Sequence, residues 1–258
     1  MGRTIIIGDI HGCRAELEAL LDYVGLTRSD EVILVGDLVV RGPDPHGTLQ
    51  VVRQIGARAV RGNHEDRLLR WHHAGRPDHR KAKRTKKTSE RRKGTKNDVA
   101  RSTPKLGPVT RATADKLSDD DWDLLVDLPL WIDLSEKGIR VVHAGVVPGL
   151  RIEDQDPRSL MYLRSLARAA PGWPLEASED RGSRSWAHFY TGPEHVVFGH
   201  NAKPEPEIAS YATGIDTGAV YGGRLSALVL RDGEEIPPPP ERRSVIVSVP
   251  SRRAYYTR

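Results

Sequence analysis

Five short apolar runs in this chain each end at an Asp, Asn or His that stands one or two residues from a glycine. The first run is Ile5-Ile6-Ile7, which predicts a buried strand and is followed by the turn Gly8-Asp9-Ile10-His11-Gly12. Because ligand sites of open α/β sheets lie outside the carboxyl ends of strands, five such ends can meet in one crevice. The pattern therefore predicts an α/β fold with one polar site. The other four turns are Gly36-Asp37, Gly62-Asn63-His64, His143-Ala144-Gly145 and Gly199-His200-Asn201.

The polar residues at these turns form a candidate metal-ligand set without a thiolate. Carboxylate, amide and imidazole ligands suit hard to borderline cations (Mn²⁺, Fe, Co²⁺, Zn²⁺ or Mg²⁺), and six donors suit two ions. Two ions about 3.5–4 Å apart can clamp the attacking and leaving oxygens of a displacement at phosphorus. The sequence thus indicates metal-assisted hydrolysis of phosphoesters or phosphoanhydrides. The predicted ligands are Asp9, His11, Asp37, Asn63, His143 and His200.

Each turn taken alone has an ordinary structural explanation. A single Asp-X-His-Gly turn is usually only a loop, and a lone histidine such as His143 is more often a packed side chain than a ligand. Repetition of the pattern at five strand ends is what favours one shared site.

Three of these blocks resemble the signature blocks of the phosphoprotein-phosphatase branch of the calcineurin-like metallophosphoesterases. They are residues 8–12, 36–42 and 62–65, and His143 and His200 match the two later histidines of that family. The resemblance spans most of residues 3–231. It implies a four-layer α/β-β/α sandwich, in which two mixed sheets are flanked by helices.

The resemblance also implies a role for each matching residue. Asp9 and His11 would hold the first metal, and Asp37 would bridge both metals. His64 would be the general acid that protonates the leaving oxygen, while Arg41 would bind phosphate. The nucleophile would be a metal-activated water, and Mn²⁺ is the favoured ion. The second metal would be held by Asn63, His143 and His200, and a further phosphate contact would come from Arg164.

Position 40 bears on the substrate. Protein phosphatases of this branch usually carry Asp there, whereas this chain has Val40, which leaves open what orients His64. Symmetrical diadenosine-tetraphosphate hydrolases have a small apolar residue followed by Arg-Gly-Pro, as in Arg41-Gly42-Pro43. The favoured substrate is therefore a dinucleoside polyphosphate, with diadenosine tetraphosphate split into two ADP. Other nucleotides and capped RNA ends are related alternatives, and a serine/threonine or dual-specificity protein phosphatase is the alternative function.

Three further residues are candidate substrate contacts. Tyr221 and Arg224 belong to the block at 215–228, which is similar to one in the same hydrolases and in bacterial protein phosphatases. Trp186 belongs to an aromatic cluster that could stack a nucleotide base, although packing beneath the loop is its favoured role.

The net charge of +5 is concentrated in one segment, residues 76–111. This segment holds 14 Lys or Arg and 3 Asp or Glu, whereas the rest of the chain has 26 basic and 32 acidic residues. Its lack of apolar periodicity predicts a solvated loop inserted in the domain. The alternatives are a basic lid that steers a polyphosphate, or a site for RNA or another polyanion, which would make nucleic-acid binding a further possible function.

The chain length suits one sizeable α/β domain, predicted at 1–236, followed by a Pro-rich linker and tail at 237–258 that could add an edge strand. Helices are predicted at 14–24, 45–55 and 158–169, and the strands after His200 are predicted to form an antiparallel meander in the second sheet.

Composition and the position of the first strand indicate where in the cell the protein is expected. No apolar run approaches 18 residues, so no membrane span is predicted. The single cysteine excludes an internal disulfide framework. The first strand begins by about Thr4, which leaves no room for a signal peptide, and we therefore expect a cytoplasmic protein.

Overall fold

The computed structural model describes residues 2–75, 104–168, 175–180 and 184–257. The first part of the chain alternates strands and helices, as the spacing of its apolar residues predicts. Its three strands are parallel neighbours, which requires helical crossovers between them. These elements are β1 (Thr4–Ile7), α1 (Arg14–Tyr23), β2 (Glu31–Leu34), α2 (Pro45–Gln54), β3 (Arg58–Ala59) and α3 (Asn63–His73).

Two strands from the end of the chain complete this first sheet. β11 (Arg224–Leu230) runs antiparallel to β1, and β12 (Ile246–Pro250) runs antiparallel to β11 at the sheet edge. The sheet order is β12-β11-β1-β2-β3. The predicted antiparallel meander is therefore wrong for β11. This strand carries buried apolar side chains on both of its faces, so it fits between two other strands better than at the end of a meander.

The second sheet is also mixed and has the order β4-β5-β8-β10-β9. Its first two strands form an antiparallel hairpin, and the next pairings, β5 with β8 and β8 with β10, are parallel. A separate antiparallel pair of strands, β6 and β7, packs against this sheet through Leu166. These strands are β4 (Trp131–Leu134), β5 (Ile139–Val142), β6 (Ser165–Arg168), β7 (Leu175–Ser178), β8 (His195–Phe198), β9 (Glu207–Ile208) and β10 (Ala212–Gly214).

Alternation of side chains along the strands builds the layers. Ile6 points into a core shared with residues of the second sheet such as Val141 and Val197, so the two sheets pack face to face. Its neighbours Ile5 and Ile7 point the other way, into a core shared with the helices. Each such side chain contributes about 1.5–3 kcal/mol by burial. The predicted sandwich of two mixed sheets flanked by helices is thus confirmed.

The remaining helices are α4 (Pro108–Ala114), α5 (Asp119–Val126) and α6 (Pro157–Tyr162). The predicted helix at 158–169 is wrong from 163 to 168, because Leu163 adopts an extended backbone and β6 follows, and residue 169 lies outside the described residues. The predicted loop at 76–111 is wrong over 108–111, where Pro108 opens α4. The remainder of that segment from 76 to 103 lies outside the described residues. Among the described helices, none has the length and apolar content needed to cross a membrane.

The stretch predicted as a linker and tail is packed against the two sheets. The Arg242 guanidinium is buried and donates to the carbonyl oxygens of Pro237 and Ala209, at 2.8 Å each. This joins the Pro-rich run to the second sheet, while β12 belongs to the first. The chain then turns back along the loop that precedes β11, toward the cavity described below.

A half-buried ion pair joins the starts of the first two strands. The Asp30 side chain accepts from Arg3 Nε and NH2, from the Arg3 backbone N–H and from the Thr27 backbone N–H. The Arg3 guanidinium holds the pKa of Asp30 well below its ordinary value. Because the folded-state pKa is depressed, this stabilisation is present above the unfolded-state pKa of about 4 and is lost as the pH falls below it.

We expect Asp30→Asn to lower the free energy of unfolding by about 2 kcal/mol at pH 7, since it removes a charge-assisted pair. The difference from the parent protein should be constant from pH 7 down to about pH 5 and narrow below about pH 4. Urea unfolding at several pH values measures this. The control is Asp133→Asn, which breaks the more exposed pair with Arg140 and should cost less than about 1 kcal/mol. Equal losses at all pH values would contradict this assignment.

Candidate active site

The ends of strands from both sheets meet at one cavity of about 300 Å³. β1 and β2 deliver His11 and Asp37, the start of α3 delivers Asn63 and His64, and β8 delivers His200. All five were predicted site residues. The cavity lies at the carboxyl ends of parallel strands, where ligand sites of such sheets are expected. The full lining is His11, Asp37, Arg41, Asn63, His64, Arg164, His200, Ala202, Asp216, Tyr221 and Tyr256.

The backbone around this cavity is unusually strained. Among the described residues other than glycine, positive φ angles occur only at the site, between 51° and 75°. A β-branched residue with such an angle, as at Val40, is an outlier that the surrounding structure must enforce. The strain turns the chain sharply enough to aim consecutive side chains into one small space. The five residues are His11, Asp37, Val40, Arg41 and His200.

Asp37 is the centre of the donor arrangement. Its Oδ2 atom lies 3.6 Å from His11 Nε2, 3.5 Å from His143 Nε2 and 4.0 Å from His64 Nε2. Two groups of three ligand atoms, each within 4.8 Å of one another, therefore share this carboxylate. One group is His11, Asp37 and His64, and the other is Asp37, His143 and His200.

The hydrogen bonds of two histidines leave lone pairs directed at a common point. His143 Nδ1 donates to the Val35 carbonyl at 2.8 Å, so its Nε2 is an acceptor, which lies 3.1 Å from Asn63 Oδ1. His200 Nε2 donates to the Tyr162 carbonyl at 3.2 Å, so its Nδ1 is an acceptor, 3.0 Å from the same oxygen. With the amide oxygen turned inward, three acceptors converge without a proton between them. This donor set fits a cation.

Burial keeps these imidazoles neutral, as metal ligation requires. It lowers the pKa of His143 to about 4 and that of His200 well below its ordinary value. His11 has a pKa lowered to about 3 by burial and by the charge of Arg41. Its Nδ1 donates to the Val39 carbonyl at 3.3 Å, which leaves Nε2 as the acceptor facing the cavity. The protein thus presents these rings ready to bind a metal.

Asp9 adopts a different geometry from the other predicted ligands. Its carboxylate accepts from the His200 backbone N–H at 3.1 and 3.0 Å, and among the described residues it belongs to neither donor group. Burial, with the charges of Asp216 and Asp37, raises its pKa well above the ordinary value. Gly199 is required here because a Cβ would come within 1.9 Å of Asp9 Oδ1. Ligation by Asp9 stays a prediction.

Glu65 is a functional residue that the ligand pattern did not include. It is fully buried, and its Oε2 accepts from the backbone N–H of Asp37 at 2.8 Å and of Gly62 at 3.1 Å. One carboxylate therefore ties the turn after β2 to the start of α3. Burial and the charge of Asp37 raise its pKa to about 7. The signal in the sequence is an acid at the third position of a helix, which is typical of N-terminal capping.

The two arginines predicted to bind phosphate both line the cavity. Arg41 NH1 donates to His11 Nε2 at 3.2 Å. Arg164 NH1 donates to the His200 carbonyl at 3.0 Å and to Asn201 Oδ1 at 3.1 Å. The cavity thus combines acceptors for cations with guanidinium groups for anionic oxygens.

The surroundings of His64 show the effect of Val40. The His64 backbone N–H donates to Asp37 Oδ1 at 3.1 Å, but its Nδ1 atom is buried and has no hydrogen-bond partner in the described parts of the chain. Val40 is 1% exposed and its side chain cannot supply one. The ring instead packs edge-on against His11, with centroids 5.1 Å apart. Burial lowers the pKa of His64 well below its ordinary value.

The structure separates the three candidate substrate contacts. Tyr221 lines the cavity. Trp186 does not, because it is 1% exposed and its Nε1 donates to the Ala144 carbonyl inside a hydrophobic core, as the packing alternative predicted. Arg224 is exposed and lines a different cleft, together with Tyr23. The predictions that Trp186 and Arg224 contact substrate in this cavity are therefore wrong.

Besides Ala202, two residues that line the cavity were missed by the sequence analysis. Asp216 follows β10, so the strand-end pattern could have identified it as a sixth polar turn. Its charge contributes to the raised pKa of Asp37, about 7, for which burial is the main cause. Tyr256 lies beyond β12 and has no local signal in the sequence.

The comparisons with known proteins agree with this geometry. The family profile described as calcineurin-like phosphoesterase matches residues 2–204. An asymmetrical bis(5'-nucleosyl)-tetraphosphatase of Oceanobacillus iheyensis is 27% identical over 235 residues, which cover 86% of each protein. A symmetrical bis(5'-nucleosyl)-tetraphosphatase of Chromohalobacter salexigens is 28% identical over a gapped alignment of 289 positions, which covers 90% of this chain and 96% of that protein.

Solved structures extend the likeness to the whole fold. A crystal structure provisionally named a diadenosine tetraphosphatase superposes with a TM-score of 0.73 at 32% identity, covering 97% of this chain and 94% of the other. A serine/threonine phosphatase from Saccharomyces cerevisiae superposes with a TM-score of 0.51 at 13% identity, covering 97% of this chain and 79% of the other. The second likeness concerns the fold alone.

Proposed function

The chain belongs to the calcineurin-like phosphoesterase family, and from this we infer that it is a metal-dependent hydrolase of dinucleoside polyphosphates. The observation that carries the proposal is the cavity, where two donor groups sharing Asp37 stand beside Arg41 and Arg164. Acceptors that fit cations, next to guanidinium groups that pair with phosphoryl oxygens, suit a substrate with several phosphates.

We propose that the site holds two divalent cations. When bound, such ions polarise phosphoryl oxygens and lower the pKa of a water until it can serve as a nucleophile at neutral pH. The donors are oxygen and imidazole without thiolate, which supports Mn²⁺ as the resident ion, with Fe, Co²⁺, Zn²⁺ and Mg²⁺ as alternatives. The first ion would take Asp9, His11 and Asp37, and the second would take Asp37, Asn63, His143 and His200.

The remaining cavity residues would act on the substrate. Arg41 and Arg164 would pair with phosphoryl oxygens and neutralise their charge. His64 would protonate the leaving oxygen, and the negative charge of a bound polyphosphate would raise its depressed pKa toward a value useful for that role. No residue in this scheme forms a covalent bond to phosphorus.

The products of diadenosine tetraphosphate hydrolysis test the proposal. We expect the purified, Mn²⁺-loaded protein to release two ADP per substrate, because Val40 followed by Arg41-Gly42-Pro43 matches the symmetrical hydrolases. Chromatography of the nucleotides against time measures this. Release of AMP and ATP would keep the substrate class and refute symmetric cleavage, and relatives of both kinds exist.

A phosphoserine or phosphothreonine peptide, assayed in parallel, tests the alternative of a protein phosphatase. We expect phosphate release from the peptide to be far slower than cleavage of the dinucleotide. Rapid dephosphorylation of the peptide, with an inert dinucleotide, would overturn the proposed function while leaving the metal chemistry in place.

A further inference from the structure

The segment that follows β12 returns to the cavity. We call residues 251–257 the return segment. The backbone N–H groups of Tyr255 and Tyr256 both donate to the Val220 carbonyl, at 2.9 and 3.0 Å. The Tyr255 hydroxyl donates to Glu16 Oε1 at 2.8 Å, and Ser251 Oγ donates to the Ala219 carbonyl at 2.6 Å. The return segment is therefore attached both to α1 and to the loop that carries Tyr221.

This attachment places the Tyr256 ring beside Arg41. The Arg41 guanidinium carbon lies 5.3 Å from the centroid of Tyr256 and 5.5 Å from that of Tyr221, and the two ring centroids are 6.2 Å apart. These distances are within the range of cation–π attraction. The two tyrosine rings thus lie side by side against the guanidinium at the cavity, and all three residues line it.

Arg41 needs such support. Its side chain is long, so fixing its several torsions costs conformational entropy, and its backbone has a φ of 75°. A guanidinium that is already oriented loses less freedom when it pairs with a phosphate, which strengthens binding. Aromatic faces provide that orientation without competing for its N–H donors.

We propose that Tyr256 is a positioning residue, which holds the Arg41 guanidinium in place for the phosphate chain of the substrate. The return segment is then a structural part of the active site. This proposal rests on the proposed function only for the identity of the natural substrate. The interaction itself concerns binding of phosphate groups by Arg41.

Two substitutions separate the aromatic face from side-chain bulk. Tyr256→Leu keeps an apolar side chain but removes the ring, and Tyr256→Phe keeps the ring and loses the hydroxyl. We expect Tyr256→Leu to raise KM for diadenosine tetraphosphate by about 3- to 30-fold, with kcat changed less than about 2-fold, and Tyr256→Phe to stay within about 2-fold of the parent. Tyr23→Leu, at an exposed tyrosine outside the cavity, is the matched control.

Pyrophosphate serves as a second probe, because its binding needs neither turnover nor a nucleoside. Calorimetry should show that Tyr256→Leu weakens pyrophosphate binding by about the same factor as it raises KM. If only the dinucleotide is affected, Tyr256 contacts the nucleoside and the proposal is overturned. If the parent protein cleaves no dinucleotide, the proposed function fails, and pyrophosphate binding still decides the role of Tyr256.

A double-mutant cycle tests whether Tyr256 acts through Arg41. In an Arg41→Ala background, Tyr256→Leu should weaken pyrophosphate binding by less than about 2-fold, because the group it positions is gone. An undiminished effect in that background would show that Tyr256 acts independently and would overturn the proposal. Thermal unfolding of each variant shows whether the fold is retained.

Discussion

Asp37→Asn will remove nearly all hydrolase activity and will also reduce the bound metal. Asp37 is the single carboxylate shared by both donor groups, with Oδ2 within 3.5–4.0 Å of imidazole nitrogens from each. Asn preserves its shape and the oxygen that accepts from the His64 backbone N–H, but it carries no charge to hold two cations together. We expect turnover to fall by on the order of 10³-fold or more, since several kcal/mol of stabilisation are lost with the ions.

The metal content of the purified variant, measured by elemental analysis, must fall together with the activity. The fold should persist, because Asn removes a buried carboxylate whose pKa is raised to about 7 by desolvation. The metal-free variant should therefore unfold at a temperature no lower than the metal-free parent. Asp133→Asn, on the exposed face of β4, should keep both metal and activity. An Asp37→Asn protein with full metal content and near-parent turnover would refute the shared-ligand assignment.

His64→Ala will reduce turnover strongly and leave the metal content nearly unchanged. A general acid contributes about 10²–10⁴-fold, and His64 lies at the cavity with Nε2 4.0 Å from Asp37 Oδ2. That same position makes His64 a possible third donor beside His11 and Asp37. Metal analysis separates the two roles, because loss of metal from this variant would identify His64 as a ligand and exclude its role as the acid.

Leaving groups of different basicity make the test of His64 sharper. Phenol, with a pKa of about 10 like that of tyrosine, needs a proton to leave, whereas the more acidic p-nitrophenol does not. If aryl phosphates are turned over, His64→Ala should reduce the rate with phenyl phosphate much more than with p-nitrophenyl phosphate. Equal losses with both would mean that His64 supports binding or metal geometry and not protonation.

The candidate metal-ligand residues could be proposed from the sequence because each follows a short local pattern. An apolar run followed by a polar residue within two positions of a glycine marks a strand end in a few consecutive residues, as at Asp37 and His200. The same rule would have found Asp216, which follows β10. The parallel order of β1, β2 and β3 followed from helices of predictable length between them.

Other features depended on contacts between distant parts of the chain. β11 is apolar on both faces, a pattern that is compatible with either sheet, and only its pairing with β1 decided its place. Trp186 is aromatic, as a residue that stacks on a nucleotide base usually is, but in the fold it is buried against Phe198. Whether a side chain is buried depends on the residues that pack over it, and these residues come from distant parts of the sequence.

The sequence by itself determined the α/β class, the polar strand ends and the family, because periodicity and motifs are short-range properties of a chain. Only the tertiary structure decided which other residues hold those strand ends and their side chains in place. Glu65 ties two turns together by accepting from backbone groups, and Tyr256 reaches Arg41 only because the return segment is held by Val220 and Glu16. These contacts link residues far apart in sequence, and no local pattern encodes a distance between two remote segments.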